Sequence, residues 1–294
     1  MTGKPSTRET VFDWLPSAKE VSFFQEHGWL VTPKIVPDHL LDDGLYGASR
    51  YYAGERDAVL PISSGYLDWQ PEHGPGIRLN DYASLQNREM QQLVHFPSIA
   101  QIASTLLEGV AIRLFHDQLI CKPPHEQARV GWHIDAAYWK TCTDPELMLT
   151  AWIPLTDCSA ESGTLTVMDG SHLWSANEWM NTFNEPDLKR LENMINTDGA
   201  TIKQVPLELK RGQVSYHHSR TIHGGFSNGT PDERIALAVH LQAASNRHQR
   251  VTSLDGRRQL HMNDLICRTD ALGSPDYSDP DVCPCLWQGP KECA

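Results

Sequence analysis

Apolar positions change their spacing part-way along the chain, and the change separates two kinds of structure. The stretch 17–27 reads as a short helix ended by Gly28, and Trp29, Leu30 and Val31 then form a strand-like run. A second helix opens at Pro37, with Leu41, Leu45, Ala48 and Tyr52 at helical spacing on one face as a core-packing stripe. From 56 to 76 the periodicity is lost in a mixture of Pro, Gly and Ser with Tyr66 and Trp69, which predicts a long loop and a candidate substrate cover. A third helix spans 97–108, with Ile99, Ile102, Ala103 and Leu106 inward and Gly109 as its C-terminal cap.

Beyond Gly109 the runs become short, at 110–115, 118–122, 148–154, 165–168, 213–217 and 235–242, punctuated by Pro-Pro, Asp-Gly, Arg-Gly, Gly-Gly and Asn-Gly turn signals. Strands dominate this half. One acidic stretch, 177–194, interrupts it as a solvated helical insertion carrying Trp179, Leu188, Leu191 and Met194. Helices first and many short strands later predict an α+β fold, a double-stranded β-helix (jelly-roll or cupin-like barrel) flanked by helices. The expected organisation is a single domain over 1–294, with helical support over about 17–109, a barrel core over about 110–245 and a tail over about 246–294.

Composition narrows the function classes. With 25 Lys+Arg against 37 Asp+Glu, the formal charge of −12 repels phosphate backbones and anionic lipid surfaces, so neither nucleic acid nor membrane is the expected partner. No basic leader with an apolar stretch opens the chain and no apolar run approaches the ~20 residues of a spanning helix, which predicts a cytoplasmic soluble protein. Quaternary state is left open. The seven cysteines (Cys121, Cys142, Cys158, Cys267, Cys283, Cys285 and Cys293) are scattered rather than dense, so reduced thiols are expected. Cys283-Pro-Cys285 with Cys293 raises a zinc reading, but the usual gap and a second close pair are missing.

The chemistry concentrates in Gly131-Trp132-His133-Ile134-Asp135. Two residues apart on an extended backbone, the imidazole and the carboxylate share one face. His223, at a turn in Ile222-His223-Gly224-Gly225, is the candidate third ligand; two histidines and one carboxylate on one side of an octahedron leave positions open for Fe(II) oxygen chemistry. Alone, His-x-Asp is a weak signal. It gains weight from Arg234, eleven residues beyond His223 and leading a strand-like run, because an arginine fork near a metal can take the far end of a dicarboxylate. The competing reading of Arg234 is a surface ion pair with Asp232 or Glu233.

Several ordered motifs, Lys122-Pro123-Pro124, Trp132-His133-Ile134-Asp135, Ala151-Trp152-Ile153-Pro154-Leu155, Glu161-Ser162-Gly163-Thr164-Leu165, Gly170-Ser171-His172, and His223-Gly224 through Asn228 to Arg234, resemble the phytanoyl-CoA dioxygenase-like (PhyH) family of Fe(II)/2-oxoglutarate oxygenases. The resemblance runs from about Val21 to about Leu241. It implies that His133, Asp135 and His223 bind Fe(II) and that Arg234 binds the distal carboxylate of 2-oxoglutarate, with Gln118, Trp152 and Arg78 lining the cosubstrate pocket. Two positions depart from the pattern. Gly225 stands where relatives often have a serine, which removes one expected hydrogen bond to the cosubstrate, and Asp169 replaces a proline.

The activity implied consumes O2 and 2-oxoglutarate, releases succinate and CO2, and hydroxylates an unactivated C–H of a small molecule, a secondary metabolite or free acid. Desaturation, epoxidation or ring closure would need only a changed substrate pose. Asp135 speaks against a halogenase, in whose relatives that carboxylate is a small residue. Candidate substrate contacts are Tyr66, Trp69, His116, Tyr138, Trp139 and Arg220, with His217 as a further candidate; ordinary packing of amphipathic aromatics is the alternative for each. Two rival classes remain: a metal-dependent hydrolase or isomerase, which leaves Arg234 without a task, and a non-catalytic binding protein on the same fold.

Overall fold

The computed structural model describes residues 14–62, 67–253 and 255–289. The N-terminal part is α1 (Ala18–His27), β1 (Trp29–Val31), α2 (Asp38–Tyr52), β2 (Arg78–Asp81), α3 (Ala83–Gln86), α4 (Arg88–Val94) and α5 (Pro97–Leu106). Local chemistry explains where these helices begin. Ser17 and Glu20 form a reciprocal capping box on α1, and Pro97 occupies the first turn of α5, where its missing N–H costs nothing. The third helix ends at Leu106 rather than 108: Glu108 and Gly109 have positive φ, and the Gly109 N–H closes the turn on the Ser104 carbonyl at 2.7 Å.

The strands that follow are β3 (Ile112–Lys122), β4 (Val130–His133), β5 (Met148–Pro154), β6 (Leu165–Met168), β7 (Gln204–Pro206), β8 (Ser215–His218), β9 (His223–Gly225) and β10 (Arg234–Ala243), with α6 (Leu188–Met194) before β7. The tail adds β11 (Val251–Thr252), β12 (Arg258–Gln259), α7 (Asn263–Ile266) and β13 (Cys285–Trp287). Pairing is antiparallel throughout. A large sheet runs β1-β8-β5-β10-β3-β13, with β2 also on β3, and a second sheet runs β4-β9-β6-β7. This is a jelly-roll core flanked by helices, as the pattern predicted.

Alternation sorts each strand between two cores. Along β10, Ile235, Leu237, Val239 and Leu241 pack outward on Leu41, Met90, Ile99 and Leu106 of the helices, whereas Ala236 and Ala238 point between the sheets with Ile120, Trp152, Val167 and Leu207. Strand β3 is interrupted by a bulge at Phe115, where His240 pairs with His116 but Leu241 pairs with Leu114. The extra residue shifts the parity. Leu114 and Leu119 both face the helices, while His116, Gln118, Ile120 and Lys122 face inward. The polar pair His116-Asp117 beside that bulge is why the sequence pattern shows two runs, 110–115 and 118–122, where one strand exists.

The 177–194 insertion is helical only from Leu188, after Pro186 and the Asp187 cap, whose carboxylate accepts from the Arg190 N–H at 3.0 Å. It is also less solvated than its acidity suggests. Met180, Leu188 and Leu191 are buried over Trp132. The segment lies so close to β4 that a Cβ on Gly131 would stand 2.1 Å from the Thr182 carbonyl oxygen, so only glycine fits there. The tail is structural too: β13 adds an edge strand beside β3, and Cys283 is buried while Cys285 is exposed. Cys293, the third cysteine of the zinc reading, lies outside the described residues. No helix among the described residues is long and apolar enough to cross a membrane.

Candidate active site

His133 ends β4, Asp135 opens a single 3-10 turn immediately after it, and His223 opens β9, the strand paired to β4 with His133 opposite His223. One potential ligand atom from each lies within 4.8 Å of the others. Asp135 Oδ1 is 3.8 Å from His133 Nε2 and 3.6 Å from His223 Nε2, too far for hydrogen bonds. Each imidazole is held by its other nitrogen. His133 Nδ1 donates to the Gly131 carbonyl at 2.8 Å and His223 Nδ1 to that of Thr221 at 2.9 Å, which turns both Nε2 lone pairs toward Asp135. Burial, and for His223 the neighbouring His133, lowers both imidazole pKa values and keeps them neutral. Burial alone would raise Asp135; the surrounding imidazoles, His223 foremost, hold its carboxyl well below the usual range. Neutral imidazoles and an ionised carboxylate with converging, unshared donor atoms fit a divalent metal.

The second carboxylate oxygen is held separately. Thr150 Oγ1 donates to Asp135 Oδ2 at 2.6 Å and accepts from His240 Nδ1 at 2.8 Å, while His217 Nε2 stands 3.3 Å from the same oxygen. These three residues all face inward from the central strands. Of them, only His217 stood out in the sequence, and there as a possible substrate contact.

Two chambers meet at this cluster, with His133, Asp135, Gln118, Phe183 and His240 lining both. The deep one, about 50 Å³, is closed by Trp152, Leu165, Gly225, Lys122 and Arg234. Arg234 is buried, its guanidinium carbon 5.4 Å from the Trp152 ring centroid, and its Nε and Nη1 have no hydrogen-bond partner. The surface ion pair considered for it does not form among the described residues. The outer chamber, about 360 Å³, is lined by Asp81, His116, Tyr138, Trp139, Leu260, His261 and Met262, among others.

The sequence-selected residues divide accordingly. Gln118 and Trp152 line the deep chamber, and His116, Tyr138 and Trp139 the outer one. Arg78 is not brought to either: its guanidinium pairs with Glu233 at 3.1 Å and lies near the Tyr52 and Trp69 rings, on the helix side of β2. Trp69 packs edge-on against Tyr52, and Arg220 is tied to Glu146 and Glu178 at 3.0 and 3.1 Å. Counter-charges hold Arg78 and Arg220 away from the site, and packing on Tyr52 holds Trp69. Tyr66 lies outside the described residues. Missed were Lys122, Thr150, Phe183, His240 and His261; only Lys122, opening the Lys-Pro-Pro motif, and His240, in phase with Arg234 on β10, carried a usable signal.

Comparison with known proteins agrees with this geometry. The phytanoyl-CoA dioxygenase (PhyH) family model matches residues 24–236. Human peroxisomal phytanoyl-CoA dioxygenase is 23% identical over 233 residues, covering 76% of this chain and 67% of the relative. The probable alpha-ketoglutarate-dependent hypophosphite dioxygenase of Stutzerimonas stutzeri is 30% identical over 139 residues, 46% of this chain and about half of the relative's length, at 47%. Among solved structures, the non-haem alpha-ketoglutarate-dependent epimerase SnoN of nogalamycin biosynthesis superposes with a TM-score of 0.68 at 22% identity, covering 94% of this chain and 98% of that one. A family match over most of the chain, on a jelly roll of the same shape, means that this protein belongs to the phytanoyl-CoA dioxygenase (PhyH) family of 2-oxoglutarate-dependent non-haem iron dioxygenases.

Proposed function

We propose that the chain oxidises a small organic molecule, with Fe(II) held by His133, Asp135 and His223 and 2-oxoglutarate lying in the deep chamber toward Arg234. The observation that carries this reading is the buried Arg234 guanidinium, its Nε and Nη1 without a partner, on the same cavity as three converging metal donors. When bound, iron with 2-oxoglutarate supplies oxidation by O2 coupled to release of succinate and CO2. The protein's own contribution is positioning. His133 and His223 aim their Nε2 atoms, Thr150 and His217 engage the outer oxygen of Asp135, and Arg234 offers a fork to the far carboxylate. Ile120, Trp152, Leu165 and Ala238 form an apolar wall that excludes water around the cosubstrate. Gln118 sits between the chambers, where it can touch either ligand.

The outer chamber is the substrate site in this reading. It has no lysine or arginine among its described lining residues, so a free acid would enter without a counter-charge. Asp81, whose Oδ1 is buried without a partner, favours instead a neutral or amine-bearing molecule rich in hydrogen-bond donors. Hydroxylation of an unactivated C–H is the reaction assigned; the epimerase in the family fold shows that a related scaffold supports another outcome. The test is succinate formation by anaerobically purified protein given Fe(II), 2-oxoglutarate and then oxygen. Turnover above the metal-free control, increased by a true substrate, is expected; background succinate at full iron loading across a panel of amines, polyols and acids would refute the assignment.

A further inference from the structure

Arg234 is not alone at the closed end of the deep chamber. Lys122 is fully buried, faces inward from the last position of β3, and is the residue paired with Arg234 across the two strands. Both side chains line the same cavity. No acidic group among the described residues lies within ion-pair distance of either, although two adjacent buried cations are costly without an anion. The Lys122 ammonium donates to the Phe226 carbonyl and reaches that of Gly163 at 3.5 Å, which leaves donor capacity toward the cavity.

The absence of a side chain at 225 leaves room beside that ammonium. A Cβ on Gly225 would come 2.9 Å from Lys122 Nζ. The space a side chain at 225 would enter is the space the lysine already fills. We propose that Lys122 is a second cationic arm of the cosubstrate site, binding the distal carboxylate of 2-oxoglutarate beside Arg234 from the room that Gly225 leaves open. This rests on the cosubstrate assignment above. Burial, and then Arg234, push the Lys122 pKa down to about 6, and a carboxylate between the two cations restores its charge.

The experiment compares two oxoacids on Fe(II)-loaded protein by calorimetric titration without oxygen: 2-oxoglutarate, and 2-oxopentanoate, which carries a methyl where the distal carboxylate would be. Lys122→Met is expected to weaken 2-oxoglutarate by about 30-fold and 2-oxopentanoate by less than about 2-fold. Equal losses for both ligands, or undiminished 2-oxoglutarate affinity, overturn the proposal, since a merely structural lysine does not distinguish them. If Lys122→Met does not fold, Lys122→Gln keeps a donor for the Phe226 carbonyl and supports the same comparison. A Lys122→Met/Gly225→Ser double variant should regain affinity for 2-oxoglutarate selectively; equal recovery of both ligands counts against the proposal. Wild-type protein that binds no 2-oxoglutarate at all would instead remove the underlying cosubstrate assignment.

Discussion

The deep and outer chambers share one wall of metal-binding side chains yet differ in charge and construction. The deep chamber holds Lys122 and Arg234 and no acid besides Asp135; the outer one adds Asp81, His116 and His261 to the shared His133, Asp135 and His240, and has no lysine or arginine among its described lining residues. Burial, and the mutual proximity of the rings, lower His116 well below the ordinary range, His240 to about 4 and His261 to about 3, so these rings are neutral at pH 7. The deep chamber is built mainly by β3, β4, β5, β6, β8, β9 and β10, with Asp135 on the turn that follows β4. The outer one borrows Asp81 from β2 and Leu260, His261 and Met262 from the tail. A rigid cationic pocket suits a cosubstrate that never changes. A mouth assembled from peripheral segments can be altered without disturbing it.

Substitutions that act on one chamber and spare the other test this division. The largest effect is expected at the shared wall: His223→Ala removes one of three metal donors and should lower activity by about 1,000-fold or more, with metal content measured by elemental analysis falling in parallel. Arg234→Ala should come next, weakening 2-oxoglutarate by about 100-fold in an anaerobic titration while leaving metal content unchanged. Unchanged 2-oxoglutarate affinity would dismiss its role.

Asp81→Asn probes the outer chamber through stability. Burial pushes the Asp81 carboxyl up to about 8, so the folded protein keeps a proton there that the unfolded chain releases near pH 4. Stability from this group is therefore greatest at low pH and falls as pH rises from about 4 to about 8. The Asn variant should lose that slope and melt about 5 °C higher at pH 8, with 2-oxoglutarate affinity unaltered. A variant that melts lower at pH 8 would contradict the raised carboxyl pKa. The smallest effect belongs to Arg220→Ala. Its partners Glu146 and Glu178 are exposed, so activity should change by less than about 2-fold and stability by less than about 1 kcal/mol; a large loss of kcat/KM would return Arg220 to the substrate site.

Legibility in the sequence follows the same boundary. The deep chamber and metal cluster draw on short motifs, and a spacing of two, or an arginine in phase with alternating apolar residues, already says which side chains share a face. Arg234, Ala236, Ala238 and His240 are such a series on β10, the small alanines leaving room between its polar ends. Arg78 defeated the same reasoning because its strand had not been recognised: Leu79 packs into the inner core while Arg78 turns to Glu233. The outer chamber offered no motif. Asp81, Phe183 and His261 are more than 70 residues apart in sequence, and no local pattern signals that they line one cavity.

By itself, then, the sequence determined the division into helices and strands, the jelly-roll class and the set of residues around which a metal and a dicarboxylate could be placed. Those follow from period, turn chemistry and ordered motifs, all local in the chain. Tertiary structure alone decided the parity change at Phe115, the meeting of Lys122 with Arg234, the approach of Thr182 to Gly131 and the tail's place on the outer mouth. Each is a long-range contact, selected by which backbones and side chains can fill the same space, and such complementarity has no period for a linear sequence to display.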